Sequence, residues 1–283
     1  MFIWDFIADS VLGQVFDWIF SKIVGFLNDF FTMMNGMGVE LFDFIWVQSI
    51  VQFFSYFGWA LFTVGLVVSV FETAMEYESG RTTAVREMAF GTIQGFLCVS
   101  LFTTVPIELY KLSIDLQASL SAEISSQAHT NGISNMAKMA LTAINVIGGF
   151  IGLFFLFLLG YSVIKVFFAN LKRGGILLIQ IAVGSLYMFS VVRGRTDGFF
   201  AWCKQVIGLC LTAFLQSTML TAGLMVFNEN MLLGCGLMLS STEVPRIAQQ
   251  FGLDTSTRAN IMSAVYATQN VVRLSRAFIP SVK

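Results

Sequence analysis

Five apolar stretches, at 50–71, 88–107, 141–164, 175–192 and 205–227, constrain this chain more than any other feature of its sequence. A helix rises about 1.5 Å per residue, so about 20 apolar residues cross the hydrocarbon core of a bilayer. The third stretch, Leu141 to Ile164, carries no charged residue and holds the run Phe150 to Gly160. The fourth, Gly175 to Val192, is the shortest. The pattern predicts an all-α, polytopic membrane protein with about five transmembrane helices. Charge agrees: 12% of the residues are charged, against about 25% in soluble domains.

Residues 1–34 read as an amphipathic helix. Asp5, Asp9, Gly13, Asp17, Ser21, Gly25 and Asp29 recur every four residues and so share one helix face. The remaining surface is Phe, Trp, Ile, Leu and Val, which suits a helix lying in the membrane interface. Its polar face is acidic (Asp5, Asp9, Asp17, Asp29), which argues against an anionic cytoplasmic leaflet and for the outer face or a protein partner. No cleaved signal is expected, because Asp5 and Asp9 interrupt the apolar start and no Lys or Arg precedes Lys22.

The tail from Ser240 onward reads as a soluble helical segment. Thr242 can cap a helix running to Phe251, and Gly252 can stop it. Three units follow: an interfacial region over 1–47, a transmembrane domain over 48–239 and a cytoplasmic tail over 240–283. In a five-span layout the loops at 72–87 and 165–175 and the tail share one side. They carry more Lys and Arg than the other side, so the positive-inside rule puts the N-terminus outside and the C-terminus in the cytoplasm.

Chemistry is not written in recognisable motifs. The sequence has no HExxH, no GxSxG and no phosphate-binding glycine loop. Its four cysteines, Cys98, Cys203, Cys210 and Cys235, form no CxxC pair, and the single histidine, His129, falls in a polar segment. The pattern therefore predicts no enzyme, no metal site and no cofactor. Net charge is −1, which gives no electrostatic case for nucleic-acid binding. Polar groups within the spans are amides and hydroxyls, among them Gln180, Gln216, Ser217 and Thr218, which suit helix–helix hydrogen bonds or the wall of an unselective conduit. Two GxxxG patterns, Gly91 with Gly95 and Gly148 with Gly152, allow close helix packing. A small-solute transporter or ion channel is the alternative class. It needs paired broken helices or ionisable residues at the midplane, and neither stands out.

The segment Tyr187 to Gln216 carries a resemblance. It runs from an apolar span through Arg193-Gly-Arg195-Thr-Asp197 to Phe199, Trp202, Lys204 and Gln205, and into another apolar span ending at Gln216. It resembles the TrbL/VirB-six family, polytopic inner-membrane subunits of type IV secretion and conjugation machines. On that match Arg195, Phe199, Trp202 and Gln205 take the family positions. Trp202 is expected to anchor the span at the interface, with Arg195 and Lys204 at headgroup level. The family often has a proline near the start of the fourth span, where this chain has Gly174-Gly175. The resemblance implies a channel or scaffold subunit in the bacterial cytoplasmic membrane. It would form a homo-oligomeric ring, work with other type IV secretion subunits and support DNA–protein transfer without catalysing a reaction. A ring with glycine-lined seams leaves grooves that suit a bound phospholipid.

Overall fold

The computed structural model describes residues 18, 21–23, 25–26, 38–81, 83–127, 133–147 and 149–253. Asp5, Asp9, Asp17, Asp29, His129 and Gly148 lie outside these residues. The described residues are all-helical. A 3-10 turn at Glu40–Asp43 leads into α1 (Ile45–Glu78), followed by α2 (Ala84–Leu101), α3 (Thr104–Gln127) and α4 (Ile133–Ile147). Then come α5 (Gly149–Val191), α6 (Asp197–Glu229), α7 (Met231–Ser241) and α8 (Val244–Gln250).

Three helices, α1, α5 and α6, are long and apolar enough to cross a membrane, and the bent pair α2–α3 makes a fourth if it counts as one span. Five separate spans do not emerge. The expected second span is broken at Phe102–Thr103, where α2 and α3 meet at 51°. Phe102 is buried in that bend, and a Cβ on Gly58 would stand 2.8 Å from its ring. Pro106 falls in the first turn of α3, where no backbone donor is lost.

The largest departure is α5. The expected loop at 165–175 is helical, so the third and fourth stretches join in one helix of 43 residues, about 65 Å long at the helical rise. No proline interrupts 149–191. Gly174, which falls in that expected loop, is a point of close approach: a Cβ there would stand 2.7 Å from the Gly38 carbonyl oxygen. Gly38 itself has φ +95 and would press a Cβ to 2.6 Å from the Tyr110 hydroxyl, so only glycine suits this turn. The third stretch, by contrast, is split, because α4 ends at Ile147 and α5 begins at Gly149.

α6 runs back along α5, with Trp202 beside Gly184 and Phe227 beside Phe155. α7 turns back on α6 after Asn230, whose side-chain oxygen caps it by accepting from Leu233 N at 3.1 Å. The turn is tight enough that Gly234 lies against the Phe227 backbone. α8 starts at Val244, two residues past the expected Thr242 cap, and the chain leaves it through Gly252 at φ +75.

Two apolar cores result. One joins α4, the first half of α5, the end of α6 and α7, through Ile144, Leu159, Leu224 and Met238. The other joins the 3-10 turn, α1, α2, α3, the second half of α5 and the start of α6, through Phe62, Phe102, Leu177 and Leu209.

Candidate functional site

A buried polar belt separates the two cores. Asn170 and Arg173 on α5 face Gln216 and Ser217 on α6, and all four are buried. The Arg173 guanidinium donates to the side-chain oxygens of Asn170 and Gln216. Asn170 passes the chain on, donating through Nδ2 to Ser217 Oγ at 3.0 Å. Tyr110 on α3 donates weakly to the Asn170 carbonyl at 3.5 Å. One turn further along α6, the Thr221 and Ser121 hydroxyls pair at 3.3 Å. Arg173 is 4% exposed, and none of the ion pairs among the described residues includes it. A buried cation held by neutral amides is costly to desolvate.

Sequence reading missed Arg173 because it placed 165–175 in a loop. One signal was available. Val166, Phe167, Asn170, Arg173 and Leu177 follow helical spacing through the supposed loop.

A second cluster lies about 30 Å along α5 from Arg173, at the turn into α6. Arg193 grips Glu72 of α1 with two hydrogen bonds, Nε to Oε2 at 3.0 Å and a second from Nη2 to Oε1. Its guanidinium also lies 5.0 Å from the centre of the Phe189 ring. The hydrogen bonds it donates to Glu72 raise the Arg193 pKa above its ordinary value. The pair corrects the five-span layout, which put the 72–87 and 193–204 loops on opposite sides: both are at one end. Gly38 lies at the level of Gly174, midway along α5, and Met238 of α7 packs on Gly223 of α6.

Gly91 and Gly95 face this turn. A Cβ on Gly91 would stand 2.8 Å from the Val192 carbonyl oxygen, and one on Gly95 would stand 3.1 Å from Val192 Cβ. A Cβ on Gly152 would stand 3.0 Å from the Ile144 carbonyl oxygen. Trp202 is buried between α5 and α6, donates through Nε1 to the Gln180 carbonyl at 2.7 Å and stacks on Phe199. It packs two helices together. Gln205 accepts from Gln180 Nε2 at 3.0 Å. Arg195 and Lys204 are exposed.

Neutralising the ion pair gives a modest expected effect. Glu72 is 37% exposed, so solvent screens the interaction and the pair contributes about 1 kcal/mol or less. A double-mutant cycle of Glu72→Gln and Arg193→Gln, read by thermal unfolding in nanodiscs, should give a coupling of that size. Additive effects would show that the contact adds nothing.

No group of three or more His, Cys, Asp or Glu side chains suited to a metal occurs among the described residues. In comparison with known proteins, a family model described as "Conjugal transfer protein TrbL" matches the chain over residues 1–283. No curated protein and no solved structure matches.

Proposed function

Because this chain belongs to the TrbL family of conjugal transfer proteins, we propose that it is a non-catalytic channel or scaffold subunit of a conjugative secretion machine. It assembles as a ring in the cytoplasmic membrane, with other subunits of that machine around it and DNA–protein substrate as its transient cargo. The length of α5 carries this reading. From Arg173 to its end at Val191 it covers about 27 Å, close to one hydrocarbon core. The half from Gly149 to Lys172 extends beyond that and still exposes Ile151, Phe154, Phe157 and Tyr161 along one face. An apolar aromatic stripe of that kind, on the part of a helix longer than one crossing needs, offers neighbouring subunits of a ring a surface to cover.

In this reading the end with Arg81, Arg86, Arg193 and Arg195 faces the cytoplasm, by the positive-inside rule. Residues 1–47 form an interfacial region on the outer side. Residues 48–239 are the transmembrane domain, and the helical tail begins near 240 at the level of the polar belt.

The test places a cysteine at Phe154 and applies a thiol crosslinker to intact cells, with the unmodified protein as control. A ladder of oligomers specific to the added cysteine is expected, and Phe157→Arg should abolish DNA transfer. Monomers alone, with transfer intact in Phe157→Arg, would overturn the ring.

One observation favours the transporter alternative: Arg173 is an ionisable group buried midway along α5. Solute flux by the purified protein alone in proteoliposomes, lost in Arg173→Gln, would select that reading.

A further inference from the structure

Helices α3 and α6 run side by side in the same direction, with Tyr110 at the level of Asn170 and Ser121 beside Thr221. An open groove lies between them. It consists of two clefts of about 190 and 200 Å³ that share Leu109 and Ile207. One cleft begins at Leu101 and Phe199, and the other reaches Leu116 and Phe214. At the helical rise this is about 22 Å, more than one leaflet's half of a hydrocarbon core of about 30 Å.

The lining is apolar throughout. Its one hydroxyl, Ser113 Oγ, donates to the Tyr110 carbonyl at 2.7 Å and offers the groove no donor. An extended peptide would find no partners for its backbone here. A helix, at about 10 Å across, is too wide for clefts of this size. A hydrocarbon chain has the required shape and needs no hydrogen bond.

Charge fixes where its polar end goes. Lys204 is exposed on α6 between the exposed side chains Phe200 and Ile207, and has no ion-pair partner among the described residues. Helical side chains lean toward the N-terminus of their helix. The ammonium therefore leans toward the Phe199 end of the groove, as long cationic side chains do when they extend along apolar surface toward a polar boundary. We propose that a glycerophospholipid occupies this groove, with one acyl chain between α3 and α6 and its phosphate drawn to Lys204.

The test uses full-length protein reconstituted in nanodiscs of phosphatidylethanolamine and phosphatidylglycerol. After transfer to mild detergent, native mass spectrometry counts the phospholipid retained per protomer. One retained lipid is expected for the unmodified chain and none for Ile207→Trp, which blocks the groove. Retention by Lys204→Gln should fall about tenfold, the loss of roughly one charge-assisted contact. Leu112→Trp, on the opposite wall, repeats the blockade should Ile207→Trp fail to fold. Equal retention by the unmodified and blocked proteins would overturn the proposal. So would a lipid-free unmodified protein whose oligomer dissociates in Ile207→Trp, because the groove would then belong to a second copy.

Discussion

Replacing Gln216 with leucine is expected to destabilise the protein by about 2–3 kcal/mol, the range for a charge-assisted hydrogen bond lost in a buried setting. Gln216 supplies one of the two side-chain acceptors of Arg173. Without it, part of a guanidinium that is 4% exposed faces leucine. The cation cannot shed its charge as a lysine would, because guanidinium stays protonated. Removing the cation as well should reverse much of the loss, since a buried ion replaced by an apolar group of similar size is often neutral. Arg173→Met with Gln216→Leu should therefore be more stable than Gln216→Leu alone. Denaturant unfolding in a fixed detergent measures both. A single-variant loss below about 0.5 kcal/mol would mean that water reaches Arg173 and that the belt is not closed.

Gly234→Ala and Gly236→Ala should differ in sign although they stand two residues apart on α7. A Cβ at Gly234 would lie 2.4 Å from Phe227 Cα and 2.6 Å from Phe227 N. Those are backbone atoms of α6, so no side-chain rotation relieves the clash and α7 must move off its partner. Overpacking of this kind costs about 3 kcal/mol or more. A Cβ at Gly236 meets nothing within 4 Å, and alanine there gains about 0.5–1 kcal/mol from helix propensity. Equal effects of the two substitutions on the unfolding midpoint would show that α7 does not pack as described.

The all-helical membrane fold was legible because apolar length is a strong local signal. The GxxxG spacing of Gly91 and Gly95 places both glycines on one face, and a Cβ on either would stand against Val192. The belt was not legible. Lys165, Lys172 and Arg173 with two glycines resemble a loop when read in order, and nothing local shows that Gly174 meets Gly38, a residue 136 positions earlier. Reading 165–175 as a loop takes Arg173 out of the bundle, although Gln216, which suits a helix–helix hydrogen bond, accepts from it. The same error set the 72–87 and 193–204 loops on opposite sides, which the contact between Glu72 and Arg193 corrects. Tryptophan near a span end marks an interface on average, and for Trp202 nothing local shows that Gly184 leaves room for its ring between two helices.

A helix of 43 residues without a break has a mechanical consequence. It behaves as a stiff lever, with the belt at Asn170 and Arg173 as its fulcrum. A tilt of about 5° swings one end of a rod of about 65 Å by about 6 Å relative to the other. A load applied at Phe154 or Phe157 would then move the Val191 end the opposite way, because no helix break lies between them to absorb the motion.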